Sequence, residues 1–208
     1  MGKRSFFPRL ALVNLVRNSR YYGPYLLSCG ALAAMYYILR FLTWNEVIQT
    51  VRGAAYLQVM MSIGCFVVAL FSTVLLLYAN SFVMKRRQKE LGLYNILGLE
   101  KRHIAALCFW ETLLCAAVVI PGGIAAGILL SKLILLLLLK LVQIPVQFGF
   151  SVSVRGVGET AALLGVLFLL ALLWNLLRLG RSRPIELLHS DSAGEREPKT
   201  KRLLAVLG

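Results

Sequence analysis

Residues 75–98 read LLLYANSFVMKRRQKELGLYNILG, and this stretch decides the fold. An apolar run ends abruptly in Lys85, Arg86 and Arg87, a short amphipathic segment covers 90–97, and a second apolar run starts near Ala105. That is how a helix leaves a bilayer, because charge is stable among headgroups and not among acyl chains. The same alternation recurs along the chain. A spanning helix needs about 20 predominantly apolar residues, and 22–42, 57–79, 105–139 and 157–177 each qualify. Hydrophobic residues make up 59% of the chain, against roughly 45–50% in a soluble domain, and the mean hydropathy is +0.75. The chain therefore reads as an all-α integral membrane protein with four transmembrane helices.

The formal charge of +14 would suggest nucleic acid in a soluble protein. Its distribution excludes that partner. Most of the 23 basic residues fall in three stretches: before the first span, between the second and third, and after the fourth. All three lie on one side of a four-span topology, so both termini are expected in the cytoplasm and anionic headgroups account for the charge. Residues 1–21 read as a cytoplasmic or interfacial helix, and 178–202 as a cytoplasmic tail. Residues 203–208 resemble the first turn of a fifth span, as if the chain were part of a longer one. The outer connections, 43–56 and 143–158, are too short for an extracellular domain.

The third apolar segment exceeds one crossing, and Pro121-Gly122-Gly123 lies near its middle. A hairpin there would place Arg178, Arg181 and Arg183 outside, so one long helix kinked near Pro121 is expected. Gly123, Gly127 and Ser131 repeat every four residues and mark the face on which another helix packs. Glu111 is the acidic residue within this run. It either pairs with a nearby Arg or Lys in a structural or coupling role, or serves a substrate or ion.

Cys29, Cys65, Cys108 and Cys115 sit in apolar stretches without a CxxC or a neighbouring His, which argues for packing rather than metal or disulfide chemistry. No catalytic constellation and no GxxxxGK[ST] motif is present, so the chain is not expected to be an enzyme or to hold a cofactor. Any ATP and magnesium would belong to another subunit. In 90–97, Leu93, Tyr94 and Leu97 share a helical face, while Gly92 and Gly98 bracket the turn ends. Two readings stay open on pattern alone: an interfacial elbow, or a coupling helix inserted into a cytoplasmic ATPase.

Together these residues resemble a known family. Leu77-Tyr78-Ala79-Asn80, Lys85-Arg86-Arg87, Lys89-Glu90-Leu91-Gly92-Leu93 and Leu97-Gly98 are similar to the FtsX-like permeases, and most of all to the Bce-type permeases of ABC transporters. Asn14-Leu15-Val16-Arg17-Asn18, Glu111, the Gly123 to Lys132 series and Pro184-Ile185-Glu186-Leu187-Leu188 extend the resemblance over nearly the whole chain. It implies a multi-pass subunit of a bacterial plasma membrane that protects against antimicrobial peptides. Its partners would be cytoplasmic ATPase subunits, the rest of the permease and a sensor histidine kinase. The resemblance makes 84–103 a cytoplasmic coupling loop whose contact residues are Arg86, Arg87, Lys89, Glu90, Leu91, Gly92, Leu93, Tyr94, Leu97 and Gly98. Two rivals are a lipoprotein-release or cell-division permease, which usually carries a larger external domain after the first span, and a four-span scaffold or regulator without an ATPase.

Overall fold

The computed structural model describes residues 3–45, 53–96, 98–141 and 152–181. Among these, every regular element is an α-helix: α1 (Lys3–Arg17), α2 (Ser19–Thr43), α3 (Ala54–Ile96), α4 (Lys101–Leu141) and α5 (Val154–Arg181). Four of them, α2 to α5, are long and apolar enough to cross a membrane. The basic ends of α1, α3, α4 and α5 gather at one end of the bundle, called here the basic end. Residues 182–208, most of the loop 143–158, and Leu97 lie outside the described residues, so the expected tail and fifth-span turn do too.

α2 is the central helix and packs against α3, α4 and α5. Lipid provides no hydrophobic force between helices, so close backbone approach must hold such a bundle together. Gly123 and Gly127 of α4 face α2 directly. A Cβ at Gly123 would lie 2.4 Å from the Ala33 Cβ, and one at Gly127 would lie 3.0 Å from the Tyr37 Cβ. Ser131, one turn further on, is buried and its hydroxyl donates to the Ile128 carbonyl at 2.8 Å. Two apolar clusters fill the seam, one around Tyr25, Cys29, Cys115 and Phe168 and one around Tyr37, Phe41 and Leu135. All four cysteines are free and buried. Phe66 and Met60 of α3, Leu129 of α4 and Leu169 of α5 point outward as lipid-facing side chains.

Pro121 lies inside α4, which runs unbroken through 41 residues. Pro121 lies on the exposed face of α4, and a bilayer helix accommodates the lost hydrogen bond through local backbone adjustment. The second span differs from the expectation. Instead of a span followed by a loop over 84–103, α3 continues for 43 residues to Ile96. At about 1.5 Å per residue that is about 64 Å, far more than a bilayer core of about 30 Å. The physical reason is composition: between Ala79 and Glu90 nothing breaks a helix, and Lys, Arg, Gln and Glu favour one. Gly92 therefore sits buried inside the helix rather than at a turn. The break comes at Gly98, whose φ of 90° places it in the left-handed region. The Leu99 amide donates to the Tyr94 carbonyl at 3.0 Å across it, which is the closure of a Schellman motif.

At the opposite end, α5 starts under a side-chain cap, the Ser153 hydroxyl accepting from the Gly156 amide at 3.1 Å. Glu159 pairs with Arg40 of α2 and, at 3.1 Å, with Arg155. The Arg155 guanidinium lies 3.6 Å from the Trp44 ring centroid, so charge and aromatic face join α2 to α5 where the bundle meets headgroups.

Candidate functional site

The site grows from helical spacing at the basic end. On α3, Leu76, Asn80, Val83, Met84, Arg87 and Leu91 are all buried and recur at intervals of three, four and seven, so they form one stripe. Lys85 and Arg86 fall off that stripe and are exposed; Arg87 falls on it and is 1% exposed. On α4 the corresponding stripe holds Ile104, Leu107, Cys108, Glu111, Cys115 and Val119. One cation and one carboxylate thus occupy core positions on two neighbouring helices.

They meet. Arg87 Nη1 donates to Glu111 Oε2 and also to the Tyr22 hydroxyl at 2.6 Å, while Arg87 Nε reaches Glu90 Oε2 at 3.4 Å. From α1, Asn14 Nδ2 donates to Glu111 Oε1 at 3.2 Å. At the α1–α2 corner, Asn18 Nδ2 reaches both Glu90 oxygens, at 3.2 and 3.1 Å. One guanidinium, two carboxylates, two amides and a phenol therefore tie α1, α2, α3 and α4 together. Desolvating such charges is tolerable only when partners replace water, and Nε and Nη1 of Arg87 have them, while Nη2 is buried without a hydrogen-bond partner.

Deeper in the bundle Asn80 and Asn175 exchange hydrogen bonds at 2.8 and 3.1 Å, linking α3 to α5. Between this pair and Glu111 lies a cavity of about 20 Å³ that Tyr22, Tyr25 and Thr112 also line. It is large enough for one water molecule.

The hairpin end itself is packed from below. Met84, Leu91, Ile104, Cys108 and Leu179 form an apolar cluster against which Tyr94 and Leu99 rest. Lys101 Nζ reaches the Gly180 carbonyl at 3.3 Å, closing α4 onto α5. Leu93, Gly98, Glu100, Lys101 and Arg102 remain exposed around the turn. Of the residues singled out from sequence, Arg87, Glu90 and Glu111 come together in the cluster, Leu91 and Gly92 are buried, and Arg86 and Leu93 face outward. Gly123, Gly127 and Ser131 belong to the α2–α4 seam. Leu97 and the Lys89 side chain lie outside the described residues. Asn14, Asn18, Tyr22, Asn80 and Asn175 were not anticipated. The available signal was a polar side chain on an otherwise apolar stripe, which in lipid implies a partner on the facing helix.

With the geometry in place, comparison with known proteins supplies the family. A profile described as FtsX-like permease C-terminal matches residues 62–184, which include most of α3, the hairpin turn and all of α4 and α5. The chain belongs to the FtsX-like permease family. Among its relatives, the bacitracin export permease protein BceB of Bacillus subtilis strain 168 is 29% identical over 208 residues, covering 96% of this chain and 32% of the relative. BceB of Halalkalibacterium halodurans is 27% identical over 202 residues, covering 95% and 31%. An uncharacterized ABC transporter permease of Bacillus subtilis, YvcS, is 25% identical over 200 residues, with coverage of 95% and 31%. This FtsX-like chain thus spans about a third of the length of the curated relatives it matches. Family membership and four apolar helices together make it a multi-pass membrane protein.

Proposed function

We propose that this FtsX-like chain acts within an ABC transporter permease and carries the surface on which a separate cytoplasmic ATPase docks. The observation that supports it is the construction of the basic end. The α3–α4 hairpin projects beyond the bilayer core, exposes Leu93 and the Gly98 turn, and is joined through Glu90 and Arg87 to Asn18 at the α1–α2 corner, Tyr22 of α2 and Glu111 of α4. A push on that hairpin reaches Asn18, Tyr22 and Glu111 within one helical turn of α3. In this reading the basic end faces the cytoplasm by the positive-inside rule, and ATP and magnesium belong to the partner subunit. The transported or sensed compound is a peptide antibiotic, a reading that rests on the names of the BceB relatives.

The test is resistance to such a peptide in cells producing the permease together with its ATPase. Glu90→Lys removes the acceptor for Arg87 and Asn18, and Gly92→Pro breaks α3 just before the hairpin. Both variants should insert into the membrane normally and lose resistance. Normal resistance in either, at normal protein level, contradicts the coupling role.

A further inference from the structure

We propose that a groove between α2 and α3 binds one anionic phospholipid from the leaflet at the basic end. The groove has a volume of about 680 Å³ and opens toward the lipid. Its floor is made of small residues, Ser28, Ala31 and Ala79, and its walls of Tyr78, Phe82 and Met35. Pro24 adds little bulk on the α2 side. Small side chains facing large ones leave a channel the width of an acyl chain.

Charge marks one end of it. Arg20 and Tyr21 line the mouth, and the Arg86 guanidinium lies 5.3 Å from the centroid of the Phe82 ring that forms its wall. Arg20 and Arg86 are both exposed. Each therefore presents free donors at the depth where a phosphate sits, with a phenol and aromatic faces beside them. Length agrees with this assignment. Arg20 to Met35 is fifteen helical steps on α2, about 22 Å at about 1.5 Å each. One leaflet, half of the roughly 40–45 Å from headgroup to headgroup, has that depth. A transmembrane helix would also cover the apolar floor, but it brings no anion to the arginine pair. Tyr25 and Val83 line both this groove and the small cavity beside Glu111, so the acyl chain lies across one layer of side chains from the ion-pair cluster.

The experiment is native mass spectrometry of the 208-residue chain released from nanodiscs holding equal phosphatidylglycerol and phosphatidylcholine. The wild-type protein should retain one phosphatidylglycerol in preference to phosphatidylcholine. Arg20→Gln combined with Arg86→Gln should lower that preference about 30-fold, equivalent to about 1 kcal/mol for each arginine. Equal retention of the two lipids by wild type, or an unchanged preference in the double variant, overturns the proposal. Ala31→Phe fills the floor and should reduce retention of both lipids; if it does not fold, the exposed arginine variants still decide. A diazirine amino acid at Met35, activated in cell membranes, should give a phospholipid adduct. A peptide adduct there would assign the groove to a helix and refute the lipid.

Discussion

Arg87 stands between two carboxylates and a phenol, and two amides, Asn14 of α1 and Asn18 at the α1–α2 corner, complete the shell around the carboxylates. Magnitudes show which of these bonds matter most. Interhelical hydrogen bonds between neutral groups in membranes average about 0.6 kcal/mol, so the Asn80–Asn175 pair contributes modestly. Removing one member of a buried ion pair costs about 3–5 kcal/mol, because the other charge is left without compensation. Arg87→Met alone and Glu111→Leu alone should therefore each destabilise the bundle by about 3–5 kcal/mol. The double variant should recover most of that loss, since apolar residues of similar volume replace the pair. A double-mutant cycle by reversible unfolding in detergent measures this, and additive losses would dissolve the pairing. Gly98 is a second residue with a defined task. Its φ of 90° strains any side chain, so Gly98→Ala should cost about 1–2 kcal/mol locally and accelerate hydrogen exchange at the Leu99 amide. Unchanged exchange would mean that the turn adapts without loss.

At the scale of elements, the seam between α2 and α4 holds the bundle. Its glycines allow the backbones closer than any β-carbon permits: Gly123 lies against Ala33 and the Gly30 carbonyl, and Gly127 against Tyr37 and the Ala34 carbonyl. Gly123→Val should lower stability by about 1–3 kcal/mol through overpacking, and Ala33→Gly should restore part of it in the same background. Thermal unfolding of the four combinations checks this, and a stable single variant would show that the helices part freely. The spacing of Gly123, Gly127 and Ser131 was legible as a packing face because small residues recur at a helical interval. Its partner helix was not, since periodicity describes one helix and says nothing of the other. The unbroken course of α3 was missed for a related reason. A basic run marks the end of the apolar environment, but not the end of the helix, and Lys and Arg prolong a helix as readily as Leu. The burial of Arg87 beside exposed Lys85 and Arg86 was hidden inside a run that reads as one charged patch. Only its position in register with Leu76, Val83 and Leu91 separates it from its neighbours.

At the scale of the molecule, the two ends are built differently. The opposite end is held by Glu159 between two arginines, part-exposed and at the level of headgroups, where such pairs contribute about 0–1 kcal/mol. The basic end buries one ion pair, Arg87 with Glu111, between helices, leaves Lys85, Arg86, Lys101 and Arg102 exposed, and places the α3–α4 hairpin beyond that pair. In the proposed role, a load applied to that hairpin passes through the apolar cluster of Leu91, Tyr94 and Ile104 to the polar cluster of Glu90, Arg87 and Glu111 next to it. Four spans, with the basic runs gathered at one end of them, were legible in composition. The connection among α1, α2, α3 and α4 required three-dimensional contacts, because Asn14, Asn18 and Tyr22 are ordinary residues until Glu90, Arg87 and Glu111 stand opposite them. The docking of an ATPase on the hairpin is the central claim, and cysteine cross-linking tests it most directly. Leu93→Cys in the permease, produced with its partner ATPase, should form a cross-link to that subunit whose yield changes with ATP. Absence of any cross-link from Leu93, with cross-linking instead from Val152 at the opposite end, would contradict the account.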